Sequence, residues 1–348
     1  MLKNQLLKFI LLLGFIPFGG FLFGQTFTNP LLPSGADPWS IYKNGYYYYT
    51  HTMQDSIVIW KTTSLAKLGT AERKTIFIPE LGKPYSKELW APEIHFINNK
   101  WYVYFAADDG KNENHRMYVL ENASANPMLG KWILKGKVAD ITDKWAIDGS
   151  VFYHQKQLYM VWAGWEGDVN FKQEIYIAKM KNPWTIASKR VKISSPLYEW
   201  EKHGDLNNEG NPPHVAVNEG PQILKHKAKT FLIYSASGCW TDYYALGMLT
   251  LKGKDIMKAS SWVKSKNPVF KQSADNSVYA PGHNSFFKSP DGKEDWILYH
   301  ANPMPNQGCG NDRSPRAQKF TWKKDGTPFF GKPLSTATKI KIPSTKKK

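Results

Sequence analysis

Asp37, Asp148 and Glu219 each stand just ahead of an aromatic or β-branched run, in Ala36-Asp37-Pro38-Trp39, Ile147-Asp148-Gly149-Ser150 and Asn218-Glu219-Gly220-Pro221. Two further segments share the pattern, Ala91-Pro92-Glu93-Ile94-His95 and Ala280-Pro281-Gly282-His283. Carboxylates crowded together push each other's pKa values apart, which separates a proton donor from a proton acceptor. Taken singly, an Asp or Glu before Pro or Gly is an ordinary turn residue. Their common position changes the reading, because three charges with no task at one buried place would cost several kcal/mol. The candidate chemistry is therefore acid/base catalysis by three carboxylates.

The five segments recur at intervals of 56, 55, 71 and 64 residues. A period of that size, built from strand-like pieces, points to a closed radial array. Each repeat shows the same hairpin grammar. Turns such as Lys43-Asn44-Gly45, Asn98-Asn99-Lys100, His154-Gln155-Lys156 and Ser289-Pro290-Asp291-Gly292 separate aromatic runs. Three antiparallel strands per repeat are visible and a fourth outer strand is expected. Alternation of period two is imperfect, as it is when strands are buried on both faces. The expected fold is all-β, a five-bladed β-propeller. An all-β sandwich is the rival, but it does not require an acid at the head of every first strand. In a propeller the first strand of every blade points at one axis, so the acids meet there. Two segments, 198–217 and 301–315, are overlong for connections and should rim the axial mouth.

Of the 348 residues, 42% are hydrophobic and 14% aromatic, enough for a large core and too many for disorder. Lys3 and Lys8 precede an apolar stretch from Phe9 to Phe23 that is broken by Gly14, Pro17, Gly19 and Gly20. That pattern reads as a secretory signal over residues 1–24, with residues 25–348 as a single domain. A secreted or periplasmic protein, free of the membrane after signal cleavage, is the consequence. The formal charge is +17, yet the lysines are scattered and no nucleic-acid motif accompanies them, so no nucleic-acid partner is expected. Two cysteines, Cys239 and Cys309, lie in Gly-rich loops of the last two repeats. In an oxidising compartment they form one disulfide or stay a buried free pair, and without a His-Cys spacing they make no zinc site.

Ala36-Asp37-Pro38, Leu89-Trp90-Ala91-Pro92-Glu93, Ala146-Ile147-Asp148-Gly149-Ser150, Asn218-Glu219-Gly220-Pro221 and Pro281-Gly282-His283 resemble the blade-head motifs of glycoside hydrolase family 43. The resemblance runs from about residue 29 to 335. It implies inverting hydrolysis of α-L-arabinofuranosides or β-D-xylosides, with no cofactor required for the chemistry. By motif, Asp37 corresponds to the general base, Glu219 to the general acid, and Asp148 to the residue that raises and orients the acid. Inversion leaves room for a water, so base and acid carboxyls should lie ~6.5–9.5 Å apart. His283 corresponds to a position near a metal or water on the axis, frequently calcium held through water, since calcium takes oxygen ligands. Glu93 stands where the family usually has Asp, with a role in holding sugar hydroxyls or fixing its loop. Arg316 matches a family arginine that reaches sugar hydroxyls, which leaves Arg313 to solvent or loop structure.

Trp39, Trp90 and Trp165 sit at blade mouths, where an indole can stack on a sugar ring. Of these Trp90 and Trp165 are the expected substrate contacts. Gly238 to Gly247 together with Arg313 to Gln318 look most like exported, exo-acting α-L-arabinofuranosidases. The leading expectation is release of terminal L-arabinofuranose from arabinan or arabinoxylan, so the partner is a plant cell-wall oligosaccharide or polysaccharide. The alternatives are a β-D-xylosidase on xylo-oligosaccharides, a non-catalytic sugar-binding propeller and a protein-interaction scaffold.

Overall fold

A computed structural model describes residues 25–204 and 215–345. The expected secretory signal, and the centre of the long segment 198–217, lie outside the described residues. The fold is all-β, and helix is confined to short 3-10 turns. A short strand β1 (Thr26–Phe27) precedes four strands that form one antiparallel sheet: β2 (Trp39–Lys43), β3 (Tyr46–Thr50), β4 (Ile57–Thr62) and β5 (Glu72–Phe77). A second four-stranded sheet holds β6 (Lys87–Ile97), β7 (Lys100–Asp108), β8 (Arg116–Asn122) and β9 (Ile133–Val138).

The third group contains β10 (Ala146–His154), β11 (Gln157–Gly164), β12 (Lys172–Asn182), β13 (Thr185–Ile186) and β14 (Val191–Ser194). The fourth contains β15 (Ala216–His226), β16 (Lys229–Ala236), β17 (Ala245–Leu251) and β18 (Trp262–Lys264). These two groups join into one nine-stranded sheet through two parallel pairs, Lys172↔Ala216 and Gln173↔Val217. The last four-stranded sheet is β19 (Tyr279–Lys288), β20 (Asp295–Asn302), β21 (Ser314–Trp322) and β22 (Pro328–Phe329). A final strand β23 (Ile340–Lys341) pairs antiparallel with β1 and draws the two ends of the described chain together.

Asn-Gly at 44–45 and the matching polar turns close the hairpins, and the aromatic runs between them fill the space between sheets. Tyr48, Ile57 and Ile59 of the first group pack on Trp101, Val103 and Phe105 of the second. A large cluster links the second, third and fourth groups. Leu246 and Phe270 meet Ile297 and Tyr299 between the fourth and the last. Tyr47 and Tyr49 then pack on Trp296 and Leu298, which returns the core to the first group. The inner strands follow the same cycle: β2 contacts β6, β6 contacts β10, β10 contacts β15, β15 contacts β19, and β19 contacts β2.

Near the head of each group a residue takes a left-handed backbone at the same place, Asp37 (φ 57°), Ala91 (φ 44°), Asp148 (φ 56°), Gly220 (φ 53°) and His283 (φ 47°), and Glu88 and Ala280 add a second in β6 and β19. In β6, β10, β15 and β19 the pairing register breaks at that point. Such bulges re-aim side chains, and a non-glycine residue held there costs about 1–3 kcal/mol. They also correct the repeat phasing expected from sequence. Ala91, not Glu93, is equivalent to Asp37, and Gly220 rather than Glu219 occupies the bulge.

Cys239 and Cys309 are bonded, with Cα atoms 5.4 Å apart across 70 residues of sequence. The bond ties the loop after β16 to the loop after β20. A cross-link closing a segment of that length is worth about 2–4 kcal/mol. Urea denaturation with and without reductant should show that loss as a lower midpoint, and Cys239→Ser should reproduce it without reductant.

Candidate active site

One cavity of about 350 Å³ opens at the heads of the inner strands, and Asp37, Asp148, Glu219 and His283 all line it. All four are less than a tenth exposed. The bulges explain how residues from four strand groups converge. Each left-handed residue turns the start of its strand so that the acid, or its neighbour, faces the common space.

Asp37 is the most heavily held of the three acids. Its backbone N–H donates to His300 Nδ1 at 3.0 Å, and Thr52 Oγ1 donates to its Oδ2 at 2.6 Å. Thr52 Oγ1 in turn accepts the Ala91 N–H at 2.8 Å, linking the first two groups. His283 Nδ1 stands 3.2 Å and Arg313 Nη1 3.5 Å from Asp37 Oδ1. Burial alone would raise this carboxyl, but His283, Arg313 and His300 outweigh it and hold Asp37 well below the usual carboxylate range. Burial pushes both imidazoles down, His300 to about 4. At neutral pH Arg313 is therefore the cation that persists beside Asp37.

The other two acids are set the opposite way. Burial pushes Glu219 up to about 7; the Tyr244 hydroxyl, donating to Oε1 at 2.7 Å, resists the rise, and the charge of Asp37 adds to it. Burial, then the charges of Glu219 and Asp37, push Asp148 well above its ordinary value, although its Oδ2 accepts the Gly220 N–H at 2.9 Å. Two neighbouring buried carboxyls cannot both ionise cheaply, so this pair retains a proton where Asp37 has none.

The walls are aromatic. Trp90 stacks on His115 with ring centroids 4.0 Å apart and donates through Nε1 to Glu88 at 2.9 Å. Trp145 and Trp240 complete the lining, next to the Cys239–Cys309 bond. Three polar atoms of lining residues have no hydrogen-bond partner among the described residues: Asn170 Oδ1, Gln173 Oε1 and Trp240 Nε1. Unpaired buried acceptors and donors are costly, so these atoms suit a ligand that carries hydroxyls.

Several expectations are corrected. Trp165 is buried behind the wall, stacked on Trp145 at 4.6 Å and 9°, so it supports a lining residue without lining the cavity. Arg316 is fully buried within the last sheet and also lies off the cavity; Arg313 reaches it instead. A cation in the overlong 301–315 segment was the signal for Arg313. Glu93 sits below the cavity, bonded to Gln222 through Oε1 and to His95 through Oε2 at 2.9 Å. That fixes strand heads to one another, and Glu93 is buried away from the cavity lining, out of reach of a sugar hydroxyl. Trp39 likewise donates to the Ile94 carbonyl at 2.8 Å. Trp145 was missed, although Trp145-Ala146-Ile147-Asp148 repeats the spacing of Trp90-Ala91-Pro92-Glu93. Tyr244, Thr52 and His300 carried no sequence signal, because their role is only to face an acid.

The residues around His283 supply few oxygens of their own to a calcium ion, which would have to be held mainly through water. His283 Nδ1 faces Asp37, the nearby Glu93 carboxylate is taken by Gln222 and His95, and calcium asks for six to eight oxygens. Among the described residues no group of three or more His, Cys, Asp and Glu is arranged to hold a metal.

Residues 27–328 match the family model of glycosyl hydrolases family 43. The chain is 42% identical over 320 residues to an extracellular exo-alpha-(1->5)-L-arabinofuranosidase of Streptomyces avermitilis, covering 89% of this chain and 64% of that protein. A protein of the same description from Streptomyces chartreusis is 36% identical over 281 residues, covering 79% and 82% of the two chains. The crystal structure of an alpha-L-arabinofuranosidase from Lactobacillus brevis superimposes with a TM-score of 0.81 at 36% identity, over 90% of this chain and 98% of that one. The chain thus spans just under two thirds of the Streptomyces avermitilis protein. With its five ordered strand-head motifs and their shared cavity, this chain belongs to glycosyl hydrolases family 43.

Proposed function

We propose that the protein is an exported, inverting glycoside hydrolase that releases terminal α-L-arabinofuranose from arabinan or arabinoxylan side chains of plant cell walls. One observation carries the reading. A single cavity holds one carboxyl kept ionised, Asp37, and one kept protonated to about pH 7, Glu219. That is the pairing of base and acid that inversion needs. The five strand groups and their cyclic contacts support a five-bladed propeller, in one domain over residues 25–348. Export is supported by the signal pattern over residues 1–24 and by two relatives described as extracellular. Among the described residues no helix is long and apolar enough to cross a membrane. A calcium on the axis is not part of the proposal.

Asp37 takes a proton from a water whose oxygen attacks the anomeric carbon as the glycosidic C–O bond breaks. Glu219 gives its proton to the departing oxygen, so the charge passes from base to acid and the configuration inverts. Burial and the charge of Asp37 keep the acid protonated, and Asp148 pins Gly220, the residue after it. Arg313 holds the base ionised. Trp90 and Trp145 offer faces to the sugar ring, and Asn170, Gln173 and Trp240 meet its hydroxyls. A cavity near the small end of ligand pockets suits a chain end more than a passing polymer.

Purified protein should release nitrophenol from the α-L-arabinofuranoside, and proton NMR should show the inverted anomer first. Cleavage of only the β-D-xyloside would replace the arabinofuranoside reading. The rate should fall as pH rises through about 7, where Glu219 loses its proton. Because the Tyr244 hydroxyl lowers that pKa, Tyr244→Phe should move the alkaline limb to higher pH; an unmoved limb would detach it from Glu219.

The same shift has a sign in stability. A carboxyl raised from 4.5 to about 7 on folding favours the native state fully below pH 4.5 and loses that advantage as pH rises through 7. Glu219→Gln, which cannot ionise, should therefore be more stable than wild type above pH 7, by up to about 3 kcal/mol, and similar to it near pH 4. Thermal melts across that range measure the difference.

A further inference from the structure

Outside the cavity the structure buries a second charged pair that the reaction does not use. Glu201 is fully buried, and Lys264 Nζ lies 2.6 Å from its Oε1. Glu201 Oε2 accepts the N–H groups of Leu197 at 2.8 Å and Tyr198 at 2.9 Å, while Oε1 also accepts the Tyr234 hydroxyl at 2.8 Å. Lys264 donates further to the Ser195 carbonyl at 2.6 Å. The group ties the turn Glu199–Glu201 to strand β18 and to the start of β15.

What this pair grips in β15 is Asn218. Its Nδ2 donates to Glu201 Oε1 at 3.0 Å and to the Val217 carbonyl at 2.9 Å. Its Oδ1 accepts Lys264 Nζ at 3.1 Å and Ser194 Oγ at 2.7 Å. Asn218 is the residue immediately before Glu219. Among the described residues, the carboxyl of Glu219 receives one side-chain hydrogen bond, from Tyr244. Its direction is therefore governed by the peptides on either side. Gly220 is pinned by Asp148 on one side, and Asn218 by the ion pair on the other.

We infer that the Glu201–Lys264 pair, acting through Asn218, is a positioning device that aims Glu219 at the oxygen of the leaving group. The inference rests on Glu219 being the general acid. A buried pair adds little net stability over an apolar replacement, whereas a fully bonded one fixes a single arrangement. Misaiming an acid has a specific signature. Departure of a poor leaving group needs the proton, while a dinitrophenolate leaves without it.

The test measures kcat and KM on aryl α-L-arabinofuranosides of graded leaving-group pKa and on an arabino-oligosaccharide. Glu219→Ala is the reference and should show a steep dependence on the leaving group. Lys264→Met should lose about tenfold or more on the oligosaccharide but less than about threefold on the dinitrophenyl glycoside, with KM little changed. Should Lys264→Met not fold, Asn218→Ala keeps the ion pair and cuts only its link to the acid, and the same signature is expected. Equal losses on every glycoside, or no loss in Asn218→Ala, overturn the inference while leaving Glu219 as the acid. A flat dependence in Glu219→Ala itself removes the acid assignment and the inference with it.

Discussion

Three carboxyls buried around one cavity repel one another, and much of the surrounding structure answers that repulsion. The chain does not neutralise them evenly. Arg313, Thr52 and His300 are all directed at Asp37, whereas Glu219 receives one hydroxyl and Asp148 one backbone N–H. Stabilising the charge of one acid makes ionisation of the other two harder. The uneven distribution of partners is thus what splits them into an ionised and a protonated set, and a symmetrical arrangement would have given three similar groups.

Holding that arrangement depends on backbone positions that most residues avoid. The left-handed residues at 37, 91, 148, 220 and 283 recur once per strand group. Four of the five are not glycine, so the strain is carried by residues chosen for their side chains or their packing. Behind these heads the walls are braced in layers: His115 under Trp90, Trp165 under Trp145, and the Cys239–Cys309 bond beside Trp240. One of these braces, Trp165, belongs to the apolar cluster that links the second, third and fourth groups, so the wall is anchored in the core itself.

Repetition made the strand groups readable in the sequence, since hairpin turns and aromatic runs declare themselves locally. It also misled. Counting acids alone placed Glu93 in phase with Asp37, although Ala91 occupies the equivalent bulge and Glu93 turns under the cavity to Gln222 and His95. Motif matching put Arg316 in the site, but its side chain is fully buried off the cavity, and Arg313 enters from the loop. Trp165 was read from its place after Trp162-Ala-Gly, which says nothing of whether another indole stands in front of it.

Residue order by itself determined the all-β character, the recurring strand groups, the family and the short segments that bring the acids forward, because each follows from contacts a few residues long. Tertiary structure alone decided which oxygen faces which donor. Partners such as His300 for Asp37 or Tyr244 for Glu219 lie tens to hundreds of residues away, and a difference of one bulge redirects a side chain completely. Proton affinity in the cavity is a property of those distances and of the exclusion of water, and neither is written along the chain.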